Sequence, residues 1–293
     1  MNSFFLHRFA LFVSFMTFLL LCAGALVTGT GSGLAVPDWP LSFGKFFPPM
    51  VGGVLFEHGH RMIAGTVAIL SILLCGACWL LEKRRWVKWL STCAIGIVAS
   101  QAILGGLTVL FKLPTPISVS HACLAQIFFT LTVILAWVTH PDSKEKKFRS
   151  THTGIRNLAA LVTLLFFVQL ILGAITRHTG AGLAIPDFPL VFGKFFPSLW
   201  TPKIAIHWAH RLGAFTLVAL VISLVISIYR RFSNQSDLLI FSGILISLVA
   251  VQVTLGALVV WLKRPIPFTT AHLVTGALCL ATSALLTIRV SSS

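Results

Sequence analysis

Four histidines give the first chemical signal. His60 and His121 lie near one end of the second and fourth of eight apolar stretches, and His210 and His272 lie at matching places in the sixth and eighth. An ionisable residue inside an apolar span marks function by default. Two imidazoles at equal depth on facing helices are a ligand pair for one iron, as in a haem held between helices. Their spacing is too wide for a single short zinc motif, and no cysteine accompanies them. A lone histidine at a helix end reads more simply as a group touching water or a carbonyl; four of them, paired and repeated, weigh against that. Of the others, His7, His140 and His152 are expected on solvated segments, and His58 is expected on another side of its helix from His60. His178 is expected in an outer loop, without a repeat partner.

The residues around these histidines sharpen the picture. Glu57 precedes His60 by three, so the two share a helix face and a carboxylate approaches whatever His60 ligates. The matching position before His210 is His207, so the acid stands in one copy only. That asymmetry suits chemistry in the first half and electron transfer in the second. The simpler alternative is an ion pair between Glu57 and Arg61 at i+4. Arg61 and Arg211, directly after their histidines, suit either haem propionates or snorkelling to headgroups. Gln101 and Gln252, at matching depth, suit either bonds between helices or contact with the cofactor.

These side chains need helices to position them. Hydrophobic residues make up 57% of 293 and charged residues 10%, and mean hydropathy is +0.95. A span takes about 20 apolar residues, and eight stretches qualify: 9–28, 53–81, 89–111, 118–139, 157–176, 204–229, 239–262 and 269–288. Backbone in lipid must find its partners internally, and unbroken apolar runs fit helices rather than alternating barrel strands. The net charge of +15 is a topology signal and a contact with anionic lipid, not a nucleic-acid footprint. Thirteen of the 22 basic residues, among them Arg8, Lys83–Lys88, Lys144–Arg156, Arg230, Arg231 and Arg289, fall at one set of helix ends. The positive-inside rule makes those ends, and both termini, cytoplasmic. All six cysteines fall within spans, which predicts small core residues and no disulfide framework.

The chain also repeats itself at an offset near 150. GSGLAVPDWPLSFGKFFP at Gly31–Pro48 matches GAGLAIPDFPLVFGKFFP at Gly180–Pro197, with 14 identities in 18 positions. Glu57–Arg61 aligns with His207–Arg211, Gln101–Gly105 with Gln252–Gly256, and His121 with His272. The expected fold is therefore all-α integral membrane: eight transmembrane helices as two tandem, parallel-repeat four-helix bundles. The expected boundaries are 1–140 and 157–293, joined by a cytoplasmic linker at 141–156. In each long loop Asp38 or Asp187 follows a proline and suits a turn or cap. The loop itself reads either as a plug closing the bundle or as part of a cofactor site.

Taken together, Pro37-Asp38-Trp39-Pro40, Glu57-x-x-His60-Arg61, Gln101 with Gly105-Gly106-Leu107-Thr108-Val109, and His121 resemble the haem A synthase family. The second set, Pro186-Asp187-Phe188-Pro189, His210-Arg211, Gln252 with Gly256, and His272, fits as well. The resemblance implies oxidation of the C8 methyl of haem O to a formyl group, by successive hydroxylations and loss of water. It implies substrate haem between His60 and His121 with Glu57 as the catalytic acid, and a haem b on His210 and His272. It implies a cell-membrane enzyme with an electron acceptor it does not identify. A haem O synthase or oxidase-assembly factor as partner, and a homo-oligomer, are compatible with it. Many relatives carry an outer-loop cysteine pair that this chain lacks. A di-haem electron carrier of the quinol-oxidising type is the alternative; it gives no reason for an acid in one half only. A transporter fits the parallel repeat and histidine set poorly.

Overall fold

A computed structural model describes residues 2–141 and 152–291. Most of the expected linker, with Lys144, Lys146, Lys147 and Arg149, lies outside the described residues. Eight helices are present: α1 Asn2–Gly29, α2 Gly53–Leu81, α3 Arg85–Leu110, α4 Thr115–Thr139, α5 Thr153–His178, α6 Pro202–Arg231, α7 Ser236–Trp261 and α8 Ile266–Val290. All are long and apolar enough to cross a membrane, as a multi-pass membrane protein requires. They outrun the apolar stretches by several residues at many ends. At 1.5 Å per residue, 25–30 residues span about 38–45 Å, more than the ~30 Å of hydrocarbon. Arg85, Arg230 and Arg231 are therefore helical although polar. His178 belongs to this class too: it is the last residue of α5, not part of a loop.

The chain divides into two compact units, Met1–Glu145 and Lys146–Ser293. In the first, α1 packs on α2 and α4, and α3 packs on α2 and α4; among the described residues the backbones of diagonal pairs do not come within 8 Å between Cα atoms. In the second, α5 packs on α6 and α8, and α7 on the same two. Each unit is thus a ring of four helices.

The larger buried cluster fills one half of each ring, and a small one of Ile185, Val191 and Ile204 lies at the α5–α6 loop of the second unit. In the first unit the larger cluster is built from Leu6, Val13, Val67, Leu74, Val87 and Leu135, all far from the long loop that joins α1 to α2. In the second it is built from Val162, Leu217, Leu224, Leu238, Leu245 and Leu286, far from the α5–α6 loop. The half next to the loop, here called the loop end, carries the histidines.

The loops fold back over the loop end. Asp38 accepts hydrogen bonds from the backbone N–H of Phe43 (2.7 Å) and Gly44 (2.8 Å). Asp187 does the same with Phe192 and Gly193. Both aspartates organise turns rather than cap helices. The donors from Gly44 and Phe43 hold the Asp38 carboxyl below the usual carboxylate range. At the other end of the first unit, burial pushes the Glu82 carboxyl up, but Arg84 and two backbone N–H groups outweigh it and hold it at about 2.

Several polar residues differ from expectation. His7 is not simply solvated: Nδ1 lies 2.8 Å from the Ala136 carbonyl and the ring meets His140 edge-on. His152 pairs with Arg231 and Phe232. Cys75, Cys78 and Cys279 are core residues, while Cys93 is exposed. No disulfide forms among them.

The loop's aromatic residue seats against α3. A Cβ on Gly106 would stand 2.7 Å from Cδ2 of Trp39, closer than a packed interior tolerates. The repeat places Phe188 and Ala257 at these positions, a smaller ring with a larger neighbour. Gly106→Ala should therefore destabilise the protein by about 1–3 kcal/mol. Trp39→Phe should recover most of that loss, as read from unfolding midpoints of the two single variants and the double variant in detergent.

Candidate haem-binding sites

The histidines of each pair stand on diagonal helices, so they face each other across the ring rather than along a packed interface. His60 and His121 project from α2 and α4, His210 and His272 from α6 and α8. The rings of His210 and His272 lie 6.4 Å apart, centre to centre, with planes at 83°. A metal about 2 Å from each of two opposed imidazole nitrogens puts the ring centres roughly 6 Å apart. Among the described residues no group of three or more His, Cys, Asp or Glu could hold a bare ion. A metal here would need its remaining ligands from elsewhere, as a porphyrin supplies them. The side-chain oxygens of Gln169 and Gln252 are buried beside this pair without a protein partner. The donor set and its spacing fit a haem.

A glycine on the next helix makes room for each ring. A Cβ on Gly24 of α1 would stand 3.1 Å from Cε1 of His60, and one on Gly105 of α3 would stand 3.4 Å from Cε1 of His121. In the second unit, Gly173 of α5 meets His210 at 3.2 Å and Gly256 of α7 meets His272 at 3.1 Å. Only a glycine lets the imidazole edge lie this close to a neighbouring backbone without displacement. Glutamines then fix the helices around the rings. Gln101 donates to the His121 carbonyl (2.9 Å) and Gln169 to the His210 carbonyl (2.7 Å), and the Gln252 carbonyl lies 3.1 Å from Nδ1 of His272. Gln101 therefore bonds between helices, while the Gln252 side chain lies beside the His272 ring, its Nε2 3.5 Å from Nε2 of His272. Sequence reasoning passed over Gly24, Gly173 and Gln169. The two glycines obey the repeat and were findable that way, whereas Gln169 aligns with Leu20 and leaves no such trace.

Glu57, 4% exposed, sits in a latch between helix and loop. Its Oε2 accepts from the Val36 N–H (2.8 Å) and its Oε1 accepts from Arg61 (2.7 Å). Arg61 continues to the carbonyls of Asp38 and Leu41. The ion pair that spacing allowed is formed, but it is buried and anchored to the loop rather than exposed. His58, which indeed lies apart from His60's contacts, meets Ser42 Oγ at 2.7 Å.

The second unit builds the same latch with an imidazole. Nδ1 of His207 lies 3.3 Å from the Ile185 N and its Nε2 lies 3.2 Å from Nε of Arg211; a neutral imidazole accepts at one of these nitrogens only. Arg211 continues to the carbonyls of Leu190 and Ile185 and lies over the Phe188 ring. Both arginines are thus committed to loop carbonyls. If the latch is the same device in both units, His207→Glu should shift stability by less than about 1 kcal/mol. His207→Leu leaves a buried N–H and a guanidinium edge unpaired and should cost about 2–4 kcal/mol. Thermal unfolding in detergent reads both.

Residues 51–284 match a family model described as cytochrome oxidase assembly protein. A protein named heme A synthase from Shouchella clausii is 30% identical over 261 residues, covering 87% of this chain and 86% of its own. One of the same name from Bacillus licheniformis is 29% identical over 264 residues, 86% of this chain and 85% of its own. Another from Bacillus pumilus is 29% identical over 281 residues, 92% and 90% respectively.

Proposed function

Because the chain belongs to the haem A synthase family of cytochrome oxidase assembly proteins, we propose that it converts haem O to haem A, acting as an oxidoreductase on the C8 methyl. The observation that carries this reading is the pair of diagonal histidine sites, each cleared by a glycine, in a chain whose two copies differ in one acid. The units are tandem parallel repeats with distinct tasks. The first, over 1–140, takes haem O between His60 and His121. The second, over 157–293, keeps a haem b on His210 and His272, with both loop ends on the extracytoplasmic side and both termini in the cytoplasm. The basic residues at the opposite ends, Arg8, Arg84, Arg85, Arg230 and Arg231, support that orientation.

A haem b held by His210 and His272 would supply one-electron redox chemistry to the second unit. The protein supplies the rest. The imidazoles fix the depth of each porphyrin, and the apolar helix walls exclude water. The loop closes the end, and Glu57 lies one helical turn from His60 on the loop side. As a carboxylate it accepts a proton from the reacting carbon or stabilises positive charge there. Arg61 aims it by holding Oε1, while the Val36 N–H holds Oε2.

The second unit provides the discriminating variant. Glu57→His places here the residue that the second unit carries at the matching position, so helix, loop and resident haem should remain. In cells that also make a haem O synthase, extracted haems should show haem A for the natural chain. For Glu57→His at equal protein level, haem A should fall a hundredfold or more, on the scale expected for loss of a catalytic acid or charge stabiliser. Near-normal haem A would make Glu57 a latch residue only.

A further inference from the structure

The loop between α1 and α2 runs down alongside α2. Ser42 Oγ meets Nδ1 of His58 at 2.7 Å, and the carbonyls of Asp38 and Leu41 accept from Arg61 at 2.7 and 2.9 Å. Arg61 lies well inside α2, which begins at Gly53, by about two turns. From Arg61 to the end of α2 at Leu81 the helix measures about 30 Å at 1.5 Å per residue, the thickness of the hydrocarbon. The basic segment Lys83–Arg85 follows at that far end. Arg61 and the loop backbone bound to it therefore stand at the opposite membrane boundary. The second unit repeats the arrangement. The same length of helix separates Arg211 from the end of α6 at Arg231, and Arg211 holds the carbonyls of Leu190 and Ile185.

A tight turn follows at that level. Backbone hydrogen bonds between Ser42 and Lys45 close it at 3.0 and 3.1 Å, and Asp38 grips the N–H groups of Phe43 and Gly44 at its tip. Phe43 has φ 54° and its counterpart Phe192 has φ 52°, a left-handed conformation that glycine or asparagine takes more readily than a bulky side chain. Both units nevertheless keep the same run, Phe-Gly-Lys-Phe-Phe-Pro, at 43–48 and 192–197. The rings that follow the tip do not pack inward. Phe46 and Phe47 are 77% and 78% exposed, and Phe195 and Phe196 are 82% and 67% exposed. Phe196 stays this open although its ring centre lies 6.0 Å from that of Trp208. Clustered exposed rings mark an interaction surface. Aromatic rings beside a lysine at the membrane boundary match the interfacial belt, where lipid offers acyl chains to the rings and phosphate to the ammonium.

We propose that the two turns, Phe43–Phe47 and Phe192–Phe196, are wedges seated in the phospholipid leaflet at the loop end, with the phenylalanines among the upper acyl chains and Lys45 and Lys194 on lipid phosphate. Anchored there, each turn steadies the loop carbonyls that bind Arg61 and Arg211. The wedges stand whatever either unit binds at its histidines.

The test places the photoreactive residue p-benzoylphenylalanine at Phe46 or Phe195 of the full-length chain, or at Ile69, an exposed position within α2 that serves as the reference for lipid contact. All three sites are exposed, so the fold tolerates the larger ring. In nanodiscs of equal parts phosphatidylglycerol and phosphatidylcholine, illumination should add a phospholipid to the chain at 46 and 195 as it does at 69, read from the intact mass. Phosphatidylglycerol should be favoured about fivefold at 46, on the scale of one basic residue at an anionic surface. Lys45→Gln should return the two lipids to equal yield. Lipid adducts at 69 with none at 46 and 195 would overturn the wedge. So would illumination in native membranes that joins 46 or 195 to another protein rather than to lipid, since the turns would then be a protein interface. Equal yields with Lys45 in place, or a preference that survives Lys45→Gln, would contradict the contact between lysine and phosphate.

Discussion

The contact between an imidazole edge and a glycine backbone sets the geometry of both units. Each ring lies 3.1–3.4 Å from where a Cβ would stand, so a side chain there would crowd it. It is held against one wall of the ring of helices, and the opposing histidine is held against another. In the second unit the two rings meet from diagonal helices at a centre-to-centre distance of 6.4 Å.

The loops solve a second problem. A long segment of irregular backbone at a bundle end needs partners for its carbonyls, since lipid offers none. One arginine per unit gathers them, Arg61 from Asp38 and Leu41, Arg211 from Leu190 and Ile185. In the first unit the residue one turn earlier, Glu57, accepts both from that arginine and from a loop N–H. In the second unit His207 stands at the same place with one accepting nitrogen. The unlike residue at this position, Glu57, is the one to which the proposed function gives the chemistry.

Much of this was legible in the residues, for identifiable reasons. Eight spans follow from apolar run length, since hydrocarbon thickness is nearly constant. The histidine pairs follow from repetition, because His60, His121, His210 and His272 keep their places while other histidines do not. The latch was only half legible. The i+4 spacing announces Glu57 with Arg61, but the loop carbonyls that complete it depend on a chain path no spacing encodes. Gly24 and Gly173 looked like ordinary small residues in apolar helices until a ring was found against each. His7 and His140 misled because each is polar at a helix end, and their mutual contact crosses from α1 to the end of α4.

The central claim is that each unit carries one diagonal histidine pair for a haem and that only the second unit keeps its haem as a cofactor. The most direct measurement is the low-spin haem spectrum and haem content of the purified chain beside its four single His→Ala variants. His210→Ala and His272→Ala should each remove the b-type low-spin signal, while His60→Ala and His121→Ala should leave it in place. An unshifted, full-intensity signal in either of the first two, or its loss in the last two, would contradict the account.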